Sequence, residues 1–137
     1  NFKMKYNFIA VVAFLSLLSS CEKTELKEGE SIVNAFYSNI ETKNYKLLDK
    51  LMSFLFYQGT PYKQFIEMLD RKNNEFGKIN RRSLGKYKMI ESINATDTIH
   101  LGYVVEYQNV HTKESFTLIK EKENFKILKY YVSQEDN

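Results

Sequence analysis

Two histidines, one cysteine and a few aspartates are the side chains through which acid–base, nucleophilic or metal chemistry would ordinarily run in this chain. A pocket enzyme needs a carboxylate or imidazole with a shifted pKa, and a donor for developing negative charge. Asp49 and Asp70 fall on polar faces of helical stretches and Asp97 in a turn. His100 faces away from the large apolar residues of its strand, and His111 is placed in a turn. The histidines stand eleven positions apart with no second cysteine, a spacing that matches no metal-ligand set, and no metal or other cofactor is expected. Signatures of a serine or cysteine nucleophile are absent, and five scattered glycines make no phosphate loop. These residues do not support catalysis, so the expectation is a protein that is not an enzyme.

Aromatic residues are the surplus: ten Tyr and ten Phe. Phe36, Tyr37, Tyr57, Tyr87, Tyr103, Tyr107, Tyr130 and the adjacent Tyr131 either line a cavity, giving an apolar wall with hydroxyls for orientation, or fill the core and send their hydroxyls to its rim. Lys78, Arg81, Arg82, Lys86 and Lys88 form a local basic stretch. It is read either as a contact for anionic lipid or envelope polysaccharide, or as a solvated face. The formal charge of +3 includes Lys3 and Lys5 of an apolar leader; beyond them 18 basic residues nearly balance 17 acidic ones. That balance gives no reason to expect a nucleic-acid partner. A single cysteine makes no internal disulfide, so the fold must stand on its core.

The leader contains the run Phe8 to Leu18, broken only by Ser16. At about 11 residues it is too short for the roughly 20 that cross a bilayer, and it reads as the apolar region of an export signal. Leu18-Ser19-Ser20-Cys21 closes that run and resembles the lipobox of bacterial lipoproteins. The resemblance implies cleavage before Cys21, a diacylglycerol thioether on its sulfur, and anchorage in membrane lipid. Residues 1–20 are then the signal peptide, with 1–3 upstream of a start at Met4, and residues 21–30 are the lipidated cysteine and a charged, solvated tether. Glu22 is not the Asp that retains such proteins in an inner membrane, which favours a cell-envelope location at the outer membrane.

From Ser31 to Phe76 the apolar period is helical. Ile32, Val33, Phe36 and Ile40 make one stripe after Ser31 as N-cap. Asn44 caps a second helix with Leu47, Leu48 and Leu51 inward. Thr60-Pro61 opens a third, with Phe65, Ile66 and Leu69 inward, Arg71, Lys72 and Asn73 outward, and Gly77 as its stop. Beyond Gly77 the period is two. Ile99, Leu101, Tyr103, Val105 and Tyr107 alternate with polar or smaller residues, preceded by a strand through Tyr87, Met89 and Ile93 and followed by strands through Phe116–Leu118 and Phe125–Val132. The turns are placed at Asn94–Asp97, Asn109–Lys113 and Glu121–Asn124. Connections this short require antiparallel neighbours, so the fold class is α+β, with N-terminal helices packed on a four-stranded antiparallel meander sheet. The domain spans 31–133, and 134–137 is a polar tail.

Ala35-Phe36-Tyr37, Asn44-Tyr45, Gly77, Val105-Glu106-Tyr107, Glu114-Ser115-Phe116-Thr117-Leu118 and Asn124-Phe125-Lys126-Ile127, in this order, resemble small exported proteins of the nuclear-transport-factor-2-like (cystatin-like) superfamily over residues 29–133. The resemblance implies a curved sheet wrapped around helices, often leaving a conical pocket, in folds that host enzymes, ligand binders and assembly domains alike. The expectation for function is a membrane-anchored envelope lipoprotein whose domain binds a small ligand or an envelope protein without catalysis. The alternatives are a pocket enzyme with a buried acid beside a tyrosine, and an interaction or immunity-type module using its sheet face.

Overall fold

The computed structural model describes residues 24–91 and 96–135. Cys21, the apolar leader and part of the expected turn at Asn94–Asp97 lie outside the described residues. Helix α1 covers 24–41, so residues 24–30, expected as a solvated tether, are instead helical and Ser31 is no N-cap. The reason lies in the spacing of Leu26, Gly29, Val33, Phe36 and Ile40, which continues one stripe back through the charged segment. Gly29 is buried, and a β-carbon there would stand 3.2 Å from Leu101 Cδ1, so the helix lies close on the sheet. The far end of α1 closes with the Asn44 amide donating to the Asn39 carbonyl and the Lys43 amide to that of Ile40. Lys43 takes the left-handed position of this cap, at φ 55°.

Helix α2, Tyr45–Asp49, is capped by Asn44, whose side chain accepts from the Leu47 amide. It buries Leu48, whereas Leu47, expected inward, is exposed. The chain then docks on the sheet, the Ser53 amide donating to the Ile127 carbonyl and the Ile127 amide to that of Leu51. Helix α3, Phe54–Gly59, starts at Ser53. Helix α4, Tyr62–Phe76, follows Pro61 and stops at Gly77, which has φ 78° and leaves no room for a β-carbon beside Gln108.

Strands β1 (Ile79–Ile90), β2 (Thr98–Tyr107), β3 (His111–Glu121) and β4 (Asn124–Gln134) form one sheet in that order, each antiparallel to the next. β1 begins earlier than its apolar positions suggest and takes most of the basic stretch into a strand. His111, expected in a turn, opens β3 opposite Glu106. The meander and the helices covering one face of the curved sheet are as the periodicity predicts. The core lies between them: Val33, Phe36, Leu48, Phe65 and Leu69 from the helices meet Ile99, Leu101, Val105, Phe116, Leu118 and Ile127 from the sheet. A bulge beside Thr117 and Leu118 shifts the β4 register by one residue, leaving Leu128 between Ile127 and Lys129 without a register partner. It turns both Ile127 and Tyr130 to the core face and leaves Tyr131 outside, 64% exposed.

Candidate functional site

Inward positions of β3 run Thr112, Glu114, Phe116, Leu118, and the alternation that buries the last two buries Glu114 as well, to 1% exposure. On α4 the stripe Phe65, Leu69, Lys72 puts a lysine in the core at 8% exposure, correcting its expected outward placement. The two meet. Lys72 Nζ donates to Glu114 Oε1 at 3.0 Å and to the Tyr130 hydroxyl at 2.7 Å. Oε1 also accepts from Tyr37 at 2.8 Å and from Tyr130, while Oε2 accepts from Tyr107 at 2.6 Å and Thr112 at 2.7 Å. One carboxylate thus collects five donors from α1, α4 and three strands. The ammonium also sits over the Tyr107 ring, 4.9 Å from its centroid, with the Tyr37 and Tyr130 rings beyond.

Burial alone would raise the Glu114 carboxyl. The Lys72 ammonium and the hydrogen bonds from Tyr107, Tyr130 and Thr112 outweigh it and hold the group below the usual carboxylate range. Burial pulls Lys72 down, with Glu114 opposing. Burial and the Glu114 charge push Tyr37, Tyr107 and Tyr130 far up, so they stand as neutral donors. The arrangement is a carboxylate–ammonium pair inside a ring of phenols, and every lone pair of the carboxylate is occupied.

This cluster forms the wall of a cleft of about 330 Å³ where the ends of α1 and α4 meet the start of β1 and the end of β2. Tyr37, Lys72 and Tyr107 reach it from the network, Ile40 and Ile79 supply apolar wall, and Glu41, Lys43 and Lys78 stand at its edge. Among the eight aromatics expected to line a cavity, Tyr37 and Tyr107 do so. Tyr130 belongs to the network behind it. Phe36 packs in the core with its ring centroid 5.1 Å from that of Phe116. Tyr103 lies buried on β2, its hydroxyl without a partner among the described residues and burial pushing it up to about 12. Tyr57 joins Phe56, Phe65 and Tyr62 in a separate helical cluster, and Tyr87 is exposed on β1.

None of the aspartates among the described residues enters the cleft. Asp49 is exposed, Asp70 accepts from Tyr45 and Asp97 sits half-buried before β2. His100 faces outward on β2 as its alternation predicts, its Nδ1 3.1 Å from the Thr117 hydroxyl. Glu114 and Lys72 are what residue-type reasoning passed over. Their inward positions are readable from the two periodicities, but charged residues are ordinarily assigned to water. Among the described residues no cluster of His, Cys, Asp and Glu could hold a metal ion, and no helix is long and apolar enough to cross a membrane. No protein-family model and no curated protein matches this chain.

Proposed function

We propose that this chain is a lipid-anchored protein of the bacterial cell envelope whose α+β domain, of the nuclear-transport-factor-2-like kind, binds a small ligand in its cleft and does not transform it. The observation that carries the binding role is a preformed cleft of about 330 Å³, at the small end of ligand sites, walled by phenols and an ammonium that are fixed before any ligand arrives. Glu114 accepts from five donors already, and a base must have a lone pair to offer. Lipid anchorage is supported by the apolar run that ends in Leu18-Ser19-Ser20-Cys21.

Labelled palmitate fed to cells making the wild-type chain should enter it, and Cys21→Ser should block labelling and leave the precursor uncleaved; label persisting in the variant removes the anchor from this reading. For the cleft, amide-resolved NMR with a library of small fragments should move signals of Tyr37, Lys72, Gly77 and Tyr107 together. Fragments that bind only elsewhere remove the cleft. A second reading, a pocket enzyme, is favoured by one observation: the buried acid stands beside Tyr37 and Tyr107 at the cleft wall. It requires Glu114 to surrender a donor when substrate arrives, and turnover of a bound fragment that Glu114→Gln abolishes would establish it.

A further inference from the structure

The sheet has a second face, away from the helices, and among the described residues no element covers it. Its composition follows from register. One rung runs Lys88, His100, Thr117, Lys129 across all four strands, and the next runs Lys86, Gly102, Ser115, Tyr131. Arg81 and Lys113 extend the face toward the other end, paired with Glu106 at 2.7 Å and Glu135 at 3.8 Å. Lys86, Lys88 and Lys129 are exposed and have no carboxylate partner among the described residues. Arg81, Lys86, Lys88, Lys113 and Lys129 therefore share the face with two carboxylates, Glu106 and Glu135. The helical layer on the opposite side, residues 24–76, carries eight acidic and seven basic side chains and is close to neutral.

Gly102 leaves a hollow in the middle of this face. Lys86, Lys88, His100, Ser115 and Thr117 surround a depression of about 330 Å³, the Lys86 stem passing 3.1 Å from where a Gly102 β-carbon would stand. Two ammonium groups, an imidazole and two hydroxyls are the donor set that suits a phosphate oxygen cluster. Tyr131 stands one rung-position beyond Ser115, an exposed ring with a polar tip of the type that settles at a bilayer interface.

We infer that the uncovered sheet face docks on an anionic bilayer surface, lipid phosphates seating over the Gly102 hollow among Lys86, Lys88 and Lys129. Charge complementarity selects the partner, since the face carries a cationic excess while the helical layer is close to neutral and gains little from the same surface. The breadth of a sheet face, with cations at both edges of one rung, fits an extended charged plane better than a single strand of polymer. The inference goes beyond the cleft reading. It shares with that reading only the idea that the chain works at a membrane.

The test mixes the full-length chain with vesicles of phosphatidylglycerol and phosphatidylethanolamine, or of phosphatidylcholine, acetylates it briefly and reads each lysine by mass spectrometry. Lys86, Lys88 and Lys129 should be protected on the anionic vesicles, with Lys27, Lys46 and Lys63 of the helical side still reactive. Salt at about 0.5 M should remove the protection by screening. The triple variant Lys86→Glu, Lys88→Glu, Lys129→Glu should lower the anionic-over-zwitterionic binding ratio about tenfold or more. Sedimentation with phosphatidylcholine vesicles reports the acyl anchor separately, so a missing anchor and an idle face are told apart. Equal protection on both vesicle types, protection of the helical lysines instead, or stronger protection by soluble dextran sulfate than by anionic vesicles would each overturn the inference.

Discussion

Glu114 and Lys72 hold their positions through one another. Removing the negative charge alone strands a buried ammonium among phenols, the most damaging way to break such a pair, whereas removing both charges together leaves mostly satisfied or apolar groups. Glu114→Gln should therefore cost about 3 kcal/mol of unfolding free energy, and adding Lys72→Met should recover part of that loss. Urea unfolding of the two single variants and the double variant closes the cycle; strictly additive losses would show that the pair is not coupled. Much of this site was legible. Position 72 continues the 65, 69 stripe and position 114 the 112, 116, 118 alternation. What spacing alone does not reveal is that a lysine and a glutamate, separated by 42 positions, neutralise each other once the helix lies on the sheet. Nor does it reveal which tyrosine turns inward, because Tyr130 and Tyr131 are distinguished only by the unpaired Leu128 in β4.

Element boundaries follow caps where the capping chemistry is local. Asn44 and Gly77 are visible in the sequence because one short polar side chain and one glycine each do a job that few residues do well. The start of α1 is not visible in that way: the charged run Glu22–Glu30 looks like a tether until Leu26 and Gly29 are seen to extend the buried stripe. Lys43 is the opposite case, a side-chain-bearing residue at a left-handed position where glycine is preferred. Lys43→Gly should relieve that conformation and raise stability by about 0.5–1 kcal/mol, measured as an upward shift of the thermal midpoint. A drop in the midpoint would mean that the Lys43 side chain contributes more to the α1 cap than its backbone costs.

At the scale of the molecule, the network ties folding to pH at both extremes. Glu114 has a folded pKa below its ordinary value of 4.5, so its contribution is complete at neutral pH and is lost as pH falls through that value toward the folded one. Tyr37, Tyr107 and Tyr130 are raised above 10.0, so the unfolded chain releases these protons first and stability falls again as pH climbs past about 10. Lys72, lowered from 10.5, acts in the opposite sense just below that range, one group against three. Urea midpoints across pH should trace a plateau with both shoulders. Phenolate absorbance should show a set of tyrosines that titrate only as the chain unfolds, and early titration of all of them would contradict the buried network.

β1 ends the sheet on one side, and its outer backbone edge has no strand neighbour among the described residues. Register shifts interrupt it around Asn80 and Gly85, and Arg81, Arg82, Lys86 and Lys88 line it with like charge. An open edge invites a second copy to add a strand, the first step toward a fibrous aggregate, and irregular backbone with repelling side chains is how such growth is prevented. On the proposed lipid anchor, copies crowded in two dimensions would meet one another far more often than molecules free in three, and the same lysines that give the outer face its sign would then hold neighbouring copies apart.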